Sequence, residues 1–402
     1  MTDALPADLP DGLPAAISSF LPELREIRRD LHAHPELSFE EFRTTDVVSQ
    51  RLTAAGISWR PLPGCTGLIA DLGAEQPAYR VALRADIDAL PVRERTGLDW
   101  ASTTPDVCHA CGHDVHTVAV LGAGLVLHEL EDVLRERGIA VRLFFQPAEE
   151  VIPGGAHTLI ENHALEGVDG IFAIHCDPSI DVGTVGLREG ALTAACDAVR
   201  VELTGRGGHT SRPHVTEDLT FALAKVVTEV PAALSRRLDP RAGAALVWGE
   251  VHAGKAPNVI PSSGYASGTL RMLDATAWQS IGPLLQEIVQ GVVAPYSVSA
   301  RLERERGVPP VVNSGAAIDI LRSAATTMGM APVPTTQSLG GEDFSWYLAR
   351  VPGAMARLGT RTPGGRTFDL HQGDLIVDEE SLRYAVELLT AAVLCGRLKP
   401  GD

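Results

Sequence analysis

The 402-residue sequence is short of positive charge: 34 Lys and Arg stand against 51 Asp and Glu, a net charge of −17. A chain so acidic is a poor match for a phosphate backbone or an anionic membrane surface, which argues against nucleic-acid and membrane partners. Long hydrophobic runs are also missing. The longest, Val118 to Leu127, is too short to span a bilayer and is interrupted by Gly122 and Gly124. The N-terminal stretch MTDALPADLPDGLP has neither the basic start nor the apolar stretch of a signal peptide, so a cytoplasmic location is expected. Six cysteines are too few for a disulfide scaffold in a chain of this length and read instead as buried thiols or metal ligands. Internal repeats, low-complexity tracts and heptad arrays are absent. What remains is an ordinary globular composition, 45% hydrophobic with 39 Gly and 27 Pro, and a length that suits two domains.

Apolar spacing predicts an opening helix from Ala15 to about Ala33 and a second near Thr45 to Ala55. Short aliphatic runs follow (TGLIADLG, YRVALRADID, AVRLFFQPAEE), separated by helical patterns such as Thr117 to Glu136, which argues for a largely parallel α/β sheet. Near Ala195 the pattern changes to the alternation of a half-exposed strand in DAVRVELTGR. A helix (Thr216 to Leu238), two strands (ALVWGEVHAG, SGYASGTLRML), a helix (Ala275 to Val293) and a strand (SVSARLERE) follow, the order of a split βαβ unit. Helical and mixed patterns then resume, ending in a helix from Glu379 to Arg397. The expected organisation is a discontinuous α/β domain, 1–194 and 308–402, interrupted by an inserted α+β domain, 195–307.

The segment CHACGHDVH, residues 108 to 116, packs two thiols and three imidazoles into nine positions. Thiolate and imidazole suit a borderline-soft ion such as zinc, and glycine between Cys111 and His113 lets both side chains reach one point. A redox pair of Cys108 with Cys111, or plain core thiols, are the competing readings. The second cluster is PAEE, Pro147 to Glu150, at the end of the apolar strand RLFF. Adjacent residues on a regular strand face opposite ways, so Glu149 and Glu150 can share a pocket only where the strand yields to a loop. One carboxylate could then bind metal while the other accepts a proton from an activated water; a solvated acidic turn is the plain alternative. His175 in GIFAIHCD ends another apolar strand, and His371 lies in FDLHQGD. Each histidine alone reads as structural, but the joint placement after successive strand ends points to a site. Asp86 and Asp88 in RADIDALP suit the orientation of a histidine. In the inserted region, GRGGHTSRPH carries His209, and APNVIP and GTLRM carry Asn258 and Arg271. These could bind a developing oxyanion and a substrate carboxylate, with turn glycines and surface polar groups as the even alternative.

With these residues in view, the chain resembles the amidohydrolase branch of the metallo-aminoacylase and carboxypeptidase G family, which includes hippurate hydrolases, indoleacetyl-amino-acid hydrolases and bacterial N-acyl-amino-acid amidohydrolases. RRDLHAHPELSFEE, ALRADIDALP, HACGHDVH, QPAEE, GRGGHTSRPH, APNVIP, GTLRM, GGEDFSWY and a late LH occur in the family's order over nearly the full length. The resemblance implies a zinc-peptidase-like three-layer α/β core with an inserted lid that mediates homodimerisation. It implies two divalent ions, Zn²⁺ foremost with Mn²⁺, Co²⁺ or Ni²⁺ as alternatives, held by Cys111, His113, Glu150, His175 and His371, with Cys111 as the bridge. Glu149 would be general base and acid, His209 would act in the partner subunit's site, and Asn258 and Arg271 would contact a small N-acyl amino acid. A metallo-dipeptidase or carboxypeptidase uses the same chemistry and is the alternative; a metal-dependent binding protein without catalysis is a third reading, disfavoured by the paired glutamates. Three departures from the family's pattern, VIPGGA after the glutamates, Cys108 before His109, and Gln372-Gly373 after the late histidine, leave every ligand in place and bear on substrate identity.

Overall fold

The computed structural model describes residues 9–399 and 401, so the N-terminal residues 1–8, part of the stretch expected to lack a signal peptide, lie outside the described residues. The chain forms two compact units. The first runs to Leu192 and takes in Val312–Thr336 and Asp343 onward; the second comprises Thr193–Val311 with Gln337–Glu342.

The first unit is built on an eight-stranded sheet. Its strand order is Ser58–Pro61, Leu68–Gly73, Ile139–Gln146, Tyr79–Asp86, Gly170–Asp181, Gly353–Arg361, Thr184–Leu187 and Ala331–Pro334. The four central strands, from Ile139–Gln146 to Gly353–Arg361, run parallel, as the alternation of strand and helix predicts. Antiparallel pairs flank these four, although the pair at one edge, Thr184–Leu187 with Ala331–Pro334, is again parallel. Ser58–Pro61 pairs antiparallel with Leu68–Gly73, because a link of a few residues cannot carry a parallel crossover. Leu68–Gly73 with Ile139–Gln146 and Gly353–Arg361 with Thr184–Leu187 are antiparallel too.

Helix His113–Glu129 is buried on every side from His113 to Leu127, in keeping with its continuous apolar composition. It packs between the sheet and helices Leu13–Ala33 and Glu380–Cys395, and all of them share one hydrophobic core. The two glycines in its apolar run are contact points: a Cβ on Gly122 would come 2.6 Å from Leu24 Cδ1, and one on Gly124 would come 2.4 Å from Leu143 Cδ1. The helix starts four residues before the predicted Thr117 and ends at Glu129, with a separate short helix Glu131–Glu136 beyond it. No helix of the described residues is long and apolar enough to cross a membrane.

The second unit has a four-stranded antiparallel sheet in the order Ala245–Ala253, Ser263–Met272, Ala195–Thr204, Ser299–Val308. Alternate residues of Ala195–Thr204 are buried beneath helices Leu219–Arg237 and Ala275–Val293, which explains its period-two pattern. Both helices begin at an aspartate: Asp218 accepts from the Phe221 N–H and Asp274 from the Ala277 N–H.

Candidate metal centre

Parallel neighbours end on the same side of a sheet, so the loops that follow Asp86 and Gln146, and His175 on the next strand, converge at one end of the first unit. The start of helix His113–Glu129 supplies Cys111 and His113 to the same place. Gly112, at φ 85, gives the chain the left-handed turn that the helix start requires. A Cβ there would also fall 2.8 Å from Cys176 Sγ. His371 arrives on the loop before the last helix, at φ 61, where its N–H donates to the Ala110 carbonyl at 2.7 Å.

Hydrogen bonds fix which nitrogen each buried histidine offers. His113 Nδ1 lies 3.0 Å from the Asp88 carbonyl and 3.2 Å from Asp88 Oδ1. A carbonyl only accepts, so Nδ1 carries a hydrogen and Nε2 is the nitrogen left to face a ligand. That Nε2 is buried without a hydrogen-bond partner. His175 follows the same rule: Nδ1 donates to the Cys176 carbonyl at 2.8 Å, and Nε2 lies 3.5 Å from Cys111 Sγ. His116 differs, because Nδ1 donates to Asp86 Oδ1 at 2.6 Å while Nε2 accepts from the Cys176 N–H at 2.8 Å. Both of its nitrogens are committed, so it braces the strand end rather than facing the site.

The PAEE turn solves the problem of two adjacent glutamates. Ala148 sits at φ 53, uncommon for a residue with a Cβ, and this left-handed step breaks the alternation of the strand. Two buried carboxylates grip the turn: Glu41 Oε1 accepts from the Ala148 N–H at 2.8 Å, and Asp88 Oδ2 accepts from the Glu150 N–H at 3.0 Å. Asp88 Oδ2 also accepts from Ser38 Oγ at 2.7 Å.

Two sets of donor atoms result, each lying within 4.8 Å of one another: Cys111, His113 and His175 in one, Cys111, Glu150 and His371 in the other. Cys111 belongs to both. Glu149 joins His113 and Glu150 in a further group, and Glu150 Oε1, like His113 Nε2, is buried without a hydrogen-bond partner. Soft and borderline donors with orphaned, converging lone pairs fit two divalent cations. The electrostatics agree with a cluster that wants positive charge. Burial raises the Cys111 thiol well above its usual range and likewise raises the Glu150 carboxyl. Burial works against charge on His113, yet the Asp86 carboxylate foremost lifts it well above the ordinary imidazole value. Asp86 is itself held low, against burial, by the charges of His113, Arg84 and His116.

Of the remaining predicted residues, Asp88 orients His113 directly, whereas Asp86 does so for His116 and closes an ion pair with Arg84. His209, Asn258 and Arg271 belong to the second unit. There the strand Gly208–His209 pairs with Val259–Ile260, and the Thr210 N–H donates to the Asn258 carbonyl at 3.2 Å. Arg271 Nη1 donates to the Leu339 carbonyl. Sequence reasoning passed over His116, Glu41 and Arg84. His116 was visible as the third imidazole of the dense segment, three residues beyond His113. Glu41 and Arg84 stood inside the motifs RRDLHAHPELSFEE and ALRADIDALP, but nothing local marked their roles, since a carboxylate or guanidinium becomes a positioning group only through its partners.

The family model described as Peptidase family M20/M25/M40 matches residues 82–394. Over 371 residues the chain is 47% identical to "Putative glutamate--cysteine ligase 2-3" of Rhodococcus jostii (strain RHA1). That alignment takes in 92% of this chain but 46% of the relative, so the chain spans less than half of that protein's length. It is 37% identical to N-acetyl-L-cysteine deacetylase of Bacillus subtilis (strain 168), over 92% of this chain and 87% of the deacetylase. A crystal structure of a dinuclear metal-binding peptidase of the M20 family from Bacillus subtilis superposes with a TM-score of 0.83 at 32% identity, covering 94% of this chain and 98% of that one.

Proposed function

The chain belongs to peptidase family M20/M25/M40, and from that premise we propose that it is a metal-dependent amidohydrolase that cleaves the amide bond of N-acyl amino acids. The observation that carries this reading is the pair of donor sets sharing Cys111 with Glu149 beside them. Cys111, His113 and His175 would hold one divalent ion and Cys111, Glu150 and His371 the other; thiolate ligation favours Zn²⁺, with Mn²⁺, Co²⁺ or Ni²⁺ as alternatives. When bound, the ions supply Lewis-acid polarisation of the acyl carbonyl and acidify a water.

The protein's own groups do the rest. Asp88 holds His113 in the tautomer that leaves Nε2 available, and the Cys176 carbonyl does the same for His175. Glu149 takes a proton from the attacking water and returns it to the departing amine nitrogen, one carboxylate serving first as base and then as acid. His209 suits the oxyanion. Its Nδ1 accepts from the Ser211 N–H at 3.1 Å, so the hydrogen is on Nε2, free to donate. We propose that it acts in the site of a partner subunit, with the inserted domain forming a homodimer and Asn258 and Arg271 contacting substrate. Free cysteines at 65, 108, 111, 176, 196 and 395 suit a reducing compartment such as the cytoplasm.

Glu149→Gln is expected to abolish turnover while metal content stays at the wild-type level; surviving activity would remove Glu149 as the base. Cys111→Ala is expected to lose metal and activity together, and full occupancy in that variant would end its role as a shared ligand. His209→Ala should cost on the order of 100- to 1000-fold in rate, the usual effect of losing an oxyanion donor. Assays on N-acetyl, N-benzoyl and long-chain N-acyl amino acids, N-acetyl-L-cysteine among them, alongside dipeptides, test the substrate class. Preference for a free amine would move the reading to a dipeptidase.

A further inference from the structure

Three arginines of the described residues are buried: Arg28, Arg84 and Arg357. Two are saturated. Arg28 pairs with Asp114 and Glu379, and Arg84 with Asp86 and Asp343. The guanidinium of Arg357, a residue 9% exposed, makes no hydrogen bond or ion pair among the described residues, and its nitrogens keep a narrow contact with solvent. Taking a guanidinium out of water without an acceptor is costly, and such groups are normally paired.

Its place on the sheet says what the charge faces. Arg357 lies on the strand Gly353–Arg361, level with His175 on one neighbouring strand and with Gly186 on the other. Residues level with each other on adjacent strands project from the same face, so Arg357 stands beside His175, whose Nε2 is 3.5 Å from Cys111 Sγ. The other flank is close-packed around Gly186. A Cβ on Gly186 would come 3.1 Å from Arg357 Cβ, 2.8 Å from Thr335 Cβ and 2.9 Å from Ile180 Cδ1, so only glycine fits beside the arginine.

We infer that Arg357 is a specificity-determining residue of this site, its guanidinium receiving the α-carboxylate of the N-acyl amino acid. The inference rests on the amidohydrolase reading given above. An N-acyl amino acid carries one obligatory anion, a carboxylate two bonds from the amide nitrogen that is cut. An arginine one strand away from a donor histidine lies at about that distance, and its planar fork matches a carboxylate with two parallel hydrogen bonds. The protein thus carries an unpaired cation, mostly buried but open to solvent at its tip, until the substrate brings its partner.

The test compares metal-loaded wild type with Arg357→Met, which keeps length without charge, and Arg357→Lys, which keeps charge without the fork. N-acetyl-L-methionine and its neutral carboxamide, N-acetyl-L-methioninamide, are assayed for acetate release. Wild type is expected to favour the acid, and Arg357→Met to raise KM for the acid roughly 10- to 100-fold, the loss of charge-assisted hydrogen bonds, with kcat little changed. The acid-to-carboxamide ratio of kcat/KM falls toward unity, and Arg357→Lys lies between. The melting temperature of Arg357→Met stays level or rises, because an unpaired buried charge has been removed. An unchanged ratio, equal losses on both compounds, or a lower melting temperature overturns the inference. Wild type that releases acetate from neither compound sinks the amidohydrolase reading instead. Calorimetric titration of N-acetyl-L-methionine then still decides Arg357: binding lost only in Arg357→Met sustains it, and equal or absent binding in both overturns it.

Discussion

At the scale of single residues the candidate centre depends on groups that never face it. Glu41 is fully buried, and burial pushes its carboxyl up to about 7 even though Thr66 and the Ala148 N–H donate to it. What it holds is Ala148, in a left-handed conformation that costs an L-residue roughly 1–2 kcal/mol. Without that step Glu149 and Glu150 would point to opposite faces. Glu41→Ala is therefore expected to lower kcat on the order of 10- to 100-fold, the penalty typical of small misplacement. Adding Ala148→Gly should recover part of the loss, because glycine takes a positive φ without help. Steady-state kinetics on both variants checks this, and a double variant no better than Glu41→Ala would remove Glu41 as a positioning residue. The motif SFEE made Glu41 visible in the sequence but did not say what its carboxylate would hold.

At the scale of elements, the start of helix His113–Glu129 is tied to the end of helix Leu13–Ala33. Asp114 Oδ2 accepts from Arg28 Nε at 2.7 Å and from His32 Nδ1 at 2.9 Å, while His32 Nε2 lies 3.2 Å from Glu94. Burial opposes charge on His32, but Asp114 and Glu94 outweigh it and raise its pKa to about 9. A histidine whose folded value exceeds its unfolded value of about 6.5 contributes stability fully present below that value and lost as pH rises through about 9. His32→Gln should thus cost most near pH 6, and its deficit against wild type should shrink by up to about 3 kcal/mol toward pH 9.5. Denaturant melts of both proteins across that range provide the measurement; a deficit that does not vary with pH would mean His32 is neutral. The helix was legible from its apolar run. Its true start at His113 was not, because the boundary depends on Gly112 and on what His113 and Asp114 bind.

At the scale of the whole molecule, metal held at the proposed centre would be linked to folding, since the donor sets draw on the segments around residues 111, 150, 175 and 371, far apart in sequence. An ion that binds the folded chain alone stabilises it by about 2.7 kcal/mol at 100 times its dissociation constant. Chelation should accordingly lower the melting temperature by several degrees, and returning metal should restore it. Glu150→Ala, which touches one donor set only, should reduce the bound metal from two ions per chain to about one while keeping part of the shift. Elemental analysis with calorimetry reads both, and a chelator-insensitive melt would argue against structural coupling.

The sequence by itself determined the α/β alternation of the core, the period-two strands and helices of the inserted region, and the thiol, imidazole and carboxylate side chains at strand ends. All of these are carried by local pattern, apolar periodicity and residue chemistry over a few positions. Only the tertiary structure decided the antiparallel pairs within the large sheet, the orientations of His113 and His175, the division of donors into two sets sharing Cys111, and the isolation of Arg357 beside His175. Each of these depends on which atoms meet across long stretches of chain. A hydrogen-bond partner, or the lack of one, is set by that meeting and leaves no local mark in the sequence.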